Sequence, residues 1–255
     1  MAATGNERLR TAMLRTGTTT QDLALCCGVD VKTVERWLSP GRVPHRANRW
    51  DAARRLGYDD DYLWPDAPGR GLDRRTGASQ SELVRIYPDR GSVPRATWHQ
   101  VLGGAREEIA VLAHAALFLA EDPATRRLLV GQAREGVRVR WLLGDPSSAT
   151  VAQRGEEEGI GSATVGAKIR NALSFLRPLA EDAVIEVRLH ATTLYNSIYR
   201  IDDQVLVNAH VYGNTAACAP VLHLRKVAGG GLVTVYLECI DRVWEQAKPW
   251  HGEDT

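Results

Sequence analysis

The spacing of apolar and polar positions divides the chain at about residue 65. Before that point the period is helical throughout. Gln21 to Cys27 predicts a short helix, Gly28 permits a left-handed turn, and Asp30 caps a second helix that runs through Leu38. Leu23, Ala24, Val29, Val34 and Trp37 supply the apolar contacts that would lock the two helices at a steep angle, with Trp37 in the core. The stretch HRANRWDAARRLG then predicts a further helix.

After residue 82 the period switches back and forth between strand and helix. Strands are predicted at 83–87, 108–116, 137–143, 184–190 and 221–227. A hairpin, LYNSIYRIDDQVLVNAH, lies between the last two, with Asp202 and Asp203 at its turn. Helices are predicted over 95–105, over 123–135 with Asp122 as cap, Pro123 at the first helical position and Gly136 as stop, and over 165–179. A last helix carries Leu232, Tyr236, Ile240, Val243, Trp244 and Ala247. Between the two patterns PDAPGRGLDRRTGASQ, Pro65 to Gln80, is rich in Pro, Gly and charge and has no apolar period. The expected organisation is a helical module over 1–64, a linker over 65–82 and an α/β module over 83–250.

Charge sharpens this division. The whole chain of 255 residues carries only +1, but residues 1–56 carry +5 and the remainder −4. Binding to a polyanion is therefore expected at the N-terminal module alone. No apolar run approaches the ~20 residues of a membrane span, and no signal peptide is evident, so a cytoplasmic protein without membrane contact is expected. Cys26, Cys27, Cys218 and Cys239 lack metal-ligand spacing and are read as reduced thiols, so neither a metal nor another cofactor is expected.

The segment TTQDLALCCGVDVKTVERWLSPGRVP resembles the λ-repressor/Xre class of helix-turn-helix proteins over residues 6–64. Its matching pieces are Gln21 at the start of the second helix, GVD in the turn, TVERW in the recognition helix and GRVP after it. The resemblance implies that Gln21, Lys32, Thr33 and Arg36 face double-stranded operator DNA, and that Arg42, His45 and Arg46 reach phosphates. It also implies a homodimer reading two half-sites.

The segments GAREEIAVLAHAALFL, RRLLVGQAREGVRVRWLLGD and VIEVRLHATTLYNSIYRIDDQVLVNAH resemble a phospholipase D-type domain, which implies an α/β fold with a mixed sheet. That family's HxKxxxxD motif would place its Asp at Asp202, its His at Tyr195 and its Lys at Ser197. Neither a Tyr hydroxyl nor a lone Ser replaces a nucleophilic His and a phosphate-neutralising Lys, and only one candidate motif is present. The expectation is a disabled site that is not an enzyme. It would bind a small polar or phosphorylated effector through His190, Tyr195, Ser197, Asp202, Asn208 and His210. A second candidate, RGEEEGIGSATVGAKIRNAL, offers Arg154, Lys168 and Arg170, with Gly159, Gly161 and Gly166 allowing a flexible lid. The combined expectation is a transcription regulator with a sensing and dimerising domain. The alternatives are a phosphodiesterase or nuclease targeted to DNA, and an antitoxin-like regulator that binds a protein.

Overall fold

A computed structural model describes residues 5–65, 67 and 74–252, with the backbone alone for 74–76. The chain divides into two compact units, Met1–Gly71 and Leu72–Thr255. Among the described residues no helix is long and apolar enough to cross a membrane.

Every described element of the first unit is helical: α1 (Glu7–Thr16), α2 (Thr20–Cys27), α3 (Val31–Trp37), α4 (Arg46–Leu56) and α5 (Asp60–Leu63). Local chemistry sets these boundaries. Thr19 and Asp22 form a reciprocal capping box at the start of α2, and Gly28 ends it in the left-handed conformation at φ 63°. Asp30 then caps α3 by accepting the Thr33 N–H at 2.8 Å. The core holds Leu9, Leu23, Val34, Ala52, Leu56 and Leu63, all at most 2% exposed. Trp37 lies there too, edge-on to Trp64 with ring centroids 6.3 Å apart.

The second unit opens with α6 (Arg74–Ser81) and is built on one eight-stranded mixed sheet. Its strands are β1 (Leu83–Tyr87), β2 (Glu108–Ala113), β3 (Arg138–Gly144), β4 (Glu186–His190), β5 (Asn196–Ile201), β6 (Gln204–Ala209), β7 (Val221–Arg225) and β8 (Lys248–Pro249). Their order across the sheet is β1-β7-β6-β5-β2-β3-β4-β8. β2, β3 and β4 run parallel, and every other pairing is antiparallel. The parallel strands need helical crossovers. These are supplied by α8 (Leu117–Ala120) and α9 (Pro123–Arg134), then by α10 (Ala149–Glu157) and α11 (Ser162–Glu181).

Alternation along the strands separates two cores. Ile109, Val111, Trp141, Leu143, Tyr199 and Leu206 pack with α7 (Arg95–Gly103), α9 and α11. Ala110, Leu112, Leu142, Ile198, Val205 and Val207 pack beneath α12 (Leu232–Gln246).

Two expectations change here. The linker over 65–82 lies partly outside the described residues (66 and 68–73), but its second half is the helix α6 and not a structureless connector. Glu82, at its end, is fully buried. Its carboxylate accepts the Leu232 N–H at 2.7 Å and the Val233 N–H at 3.3 Å, so it caps α12 from about 150 residues away. Polar composition marked this segment as linker, yet Ser79 accepts the Gly231 N–H at 3.1 Å and Glu82 caps α12. The flexible lid over 154–173 is also absent. That stretch forms the end of α10 and the first half of α11, joined by a short turn. Gly155 and Gly166 are there for close approach: a Cβ on Gly155 would meet the Gly161 carbonyl oxygen at 2.3 Å, and one on Gly166 the Pro146 oxygen at 2.9 Å.

Candidate functional site

The topology carries the ends of β2, β4 and β6 and the start of β5 to one edge of the sheet, and three histidines meet there. His114 directly follows β2, His190 ends β4, and His210 directly follows β6. The His114 ring is 5.6 Å from that of His210 and 6.0 Å from that of His190, centroid to centroid. A cavity of about 260 Å³ opens beside them. Its wall includes His114, His210, Ser197, Tyr199, Phe118, Arg90 and Lys168.

Each histidine is held differently. His190 is buried and fully used: its Nε2 donates to the Ala113 carbonyl at 3.3 Å, and its Nδ1 accepts the Thr192 N–H at 3.3 Å. His210 Nδ1 lies 3.0 Å from the Leu194 carbonyl oxygen, which can only accept, so Nδ1 carries the proton. Nε2 then accepts from the Ser197 hydroxyl at 3.0 Å. The His114 ring makes no hydrogen bond within the described protein, although the residue's carbonyl accepts the Gly144 N–H at 2.8 Å. Its Nδ1 is sealed beside Gly144, leaving the other ring nitrogen for the cavity.

Burial pushes the pKa of all three rings downward. His114 falls to about 3, helped by His210, His190 and Arg154. His210 falls to about 4 through burial and the positive field of Arg154 and Arg90, which outweigh its bond to Leu194. All three rings are therefore neutral near pH 7. The charge at the cavity comes instead from Arg90 and Lys168, neither of which pairs with a carboxylate of the described protein. Arg90 is stacked over the Phe118 ring at 4.3 Å. Two acids, Glu121 and Glu158, also reach the wall, and Glu158 is bound by Arg154 at 2.9 Å. Among the described residues no group of three or more His, Cys, Asp or Glu side chains could hold a metal ion.

Of the nine ligand residues expected from sequence, Ser197, His210 and Lys168 line this cavity. Tyr195 does not: it is 78% exposed at the hairpin surface. Asp202 sits at the far end of β5 at φ 52°, where its carboxylate accepts the N–H groups of Arg106, Glu107 and Glu108 at 2.8–2.9 Å. It anchors the hairpin turn to the start of β2. Asn208 is fully buried and donates to the Ala219 and Pro220 carbonyls at 3.0 and 3.2 Å. Arg154 is locked to Glu158 and to the Asn214 carbonyl behind the wall, and Arg170 is exposed elsewhere on α11. His190 stays behind the wall through its two backbone bonds.

Sequence reading missed His114 and Arg90. His114 was hidden inside an apolar run read as continuous strand, EIAVLAHAA. The chain leaves the sheet one residue after Ala113, and Ala116 turns left-handed at φ 47°. It also missed the pair formed by His99 and Asp122, 2.7 Å apart beside a second cavity of about 550 Å³ that shares Arg90 and Phe118. Burial raises the Asp122 acid, but His99, Arg95 and the Ala124 N–H outweigh it and hold the group well below the usual carboxylate range.

In the first unit, the seven residues expected at DNA are placed as follows. Gln21 lies in the first turn of α2, one residue after its start; Lys32, Thr33 and Arg36 lie on α3; Arg42 precedes His45 at the α4 cap position and Arg46 at its start. All are exposed except Thr33, which is half-buried, and its hydroxyl donates to Asp30 at 3.0 Å. Thr33 is thus already committed to the helix cap.

The family model described as a domain of unknown function (DUF5919) matches residues 80–251. The chain belongs to this family. No curated protein matches it. Solved structures similar to it include TrmBL2, an archaeal chromatin protein described as having a novel mode of DNA binding, at 15% identity and a TM-score of 0.44, covering 68% of this chain and 56% of that one. Nuc from Salmonella typhimurium, a phospholipase D family member, shows 14% identity and a TM-score of 0.43, covering 65% and 94%. Phosphatidylserine synthase from Haemophilus influenzae shows 12% identity and a TM-score of 0.42, covering 65% and 39%. This chain therefore spans little more than half of the archaeal protein and well under half of the synthase.

Proposed function

We propose that the protein is a DNA-binding transcription regulator of helix-turn-helix type whose second unit binds a small anionic effector. The observation that carries the DNA reading is the pair α2 and α3, capped by Thr19 and Asp30 and joined at Gly28, with Lys32 and Arg36 exposed on the second helix. A helix end presented in this way suits the major groove, while Arg42, His45 and Arg46 suit phosphates. The effector reading rests on the cavity of mixed polar and apolar lining that Arg90 and Lys168 reach without pairing to a carboxylate of the described protein.

The resemblance to phospholipase D-type domains implies no phosphodiester chemistry here, because Tyr195 and Ser197 stand where such a site needs His and Lys. The effector then acts by occupying the cavity, and cytoplasmic action as a homodimer on two half-sites follows. Support for pairing through the second unit comes from the edge strand β1, which exposes Leu83, Val84 and Ile86.

The test is DNA selection followed by fluorescence anisotropy with the full chain. Arg36→Ala is expected to cost about 1–3 kcal/mol on the selected site and to relax specificity. Arg46→Ala is expected to weaken all sequences alike and to flatten the salt dependence. Unchanged binding in both variants overturns the assignment. Sedimentation of the full chain as a monomer at micromolar concentration overturns the dimer.

A further inference from the structure

Ser197 is not a lone hydroxyl, because the tertiary structure gives it a base. Its Oγ and His210 Nε2 are 3.0 Å apart, and the Leu194 carbonyl, 3.0 Å from Nδ1, fixes the tautomer in which Nε2 is free to take a proton. Nucleophile, base and orienting group thus follow in sequence, which is the arrangement that activates a serine. The pair lies on the wall of the 260 Å³ cavity and is shielded from bulk water, Ser197 being 3% exposed. Arg90 and Lys168 face the same space.

We propose that Ser197 is a nucleophile, with His210 as its base, that accepts the acyl group of a small carboxylate-bearing ester held by Arg90 and Lys168. This goes beyond the effector reading and rests on it for access to the cavity. In the step, Oγ forms a bond to the ester carbonyl carbon, and the Ser197 proton passes to His210 Nε2. The intermediate collapses with cleavage of the ester C–O bond, and the leaving alkoxide takes that proton from His210. The products are an alcohol and acylated Ser197, and no further reactant is needed.

Removing the acyl group requires the same base to activate water. His210 is held at about 4, which slows proton transfer in both steps, and a good leaving group compensates only in the first, so the acyl-serine outlives it. The adduct would keep the effector's charge in the cavity after the alcohol has left.

The experiment mixes the full chain with p-nitrophenyl hemisuccinate and, separately, with neutral p-nitrophenyl acetate. It follows p-nitrophenolate release and the mass of the intact protein. We expect a burst of one equivalent with the hemisuccinate, about tenfold faster than with acetate because only the former meets the two cations. One succinyl group should map to the peptide containing Ser197. Ser197→Ala should abolish the adduct, Ser197→Cys should restore labelling, and His210→Gln should slow acylation about a hundredfold. Tyr195→Phe, outside the cavity, should react like the native chain. Thermal melting checks that each variant is folded. Labelling of a folded Ser197→Ala at the native rate, or an adduct on another residue, overturns the proposal. Free succinate separates the two readings. If it stabilises Ser197→Ala against heat while the native chain forms no adduct, the acylation is wrong and the binding site stands. If Ser197 is labelled equally by both esters and succinate binds nowhere, the anionic effector is wrong and the nucleophile stands.

Discussion

The two ends of β2 handle buried polar groups in opposite ways. At its start, Glu108 is 2% exposed and lies among Arg138, Arg140 and Arg200, with ion-pair distances of 3.0, 2.5 and 2.5 Å. Arg140 also reaches Asp241 on α12 at 2.9 Å and stacks on Trp244. The Glu108 N–H is held by Asp202. Just past the other end, the His114 ring has no hydrogen-bond partner in the described protein and faces a cavity. Both groups are about equally buried, so depth does not distinguish them. A buried charge surrounded by its counter-ions maintains the sheet, whereas a buried polar group left unpartnered beside empty space is poised for something that binds.

This comparison can be broken or sharpened experimentally, starting with the largest effect. Glu108→Ala removes the carboxylate shared by three arginines, leaving buried Arg140 with Asp241 alone, and is expected to cost about 3–5 kcal/mol in urea unfolding. A loss below 1 kcal/mol would mean that the cluster holds nothing. Asp202→Gly keeps the positive φ at the turn but removes the carboxylate that three N–H groups share. Its expected cost is about 1–3 kcal/mol, and a native-like denaturation midpoint would contradict the anchoring role.

Acid probes the other end. Folded His114 and His210 hold their protons only below about 3 and 4, whereas the unfolded chain takes them up near 6.5. Between those limits the unfolded state binds more protons, so this stability is fully present above pH 6.5 and is lost as pH falls toward the folded values. The groups facing these rings are His190, Arg154 and Arg90, with Glu157 opposing them at His210. At pH 5.5 the loss is at most about 1.4 kcal/mol per ring. His114→Phe should make that acid limb shallower in urea midpoints measured from pH 7 to 5. An unchanged limb would mean that the His114 ring is not the source. The smallest effect belongs to Tyr195→Phe, expected within about 0.5 kcal/mol of native stability because the ring is exposed. A larger change would return Tyr195 to the site.

Much of the architecture was legible in the sequence because it is local. The caps at Asp30 and Asp122, the left-handed Gly28 and the alternation in β3, β5 and β6 each act within a few residues. The site was legible only in part. Ser197, Lys168 and His210 were expected at a ligand, but the spacing that nominated Tyr195 and Asp202 along one strand says nothing about which end of the sheet each occupies. Those two sit seven positions apart on a strand rising ~3.4 Å per residue, so one pocket could not hold both.

By itself the sequence determined the caps at Asp30 and Asp122, the left-handed turn at Gly28 and the basic character of residues 1–56. Each of these depends on a side chain and its near neighbours. Only the tertiary structure decided that Glu82 caps α12, that Glu108 gathers arginines from β3 and β5, and that Ser197 finds a base in His210. Those contacts join residues 13 to about 150 positions apart, and the pairing of strands that brings them together is written in no short stretch of chain.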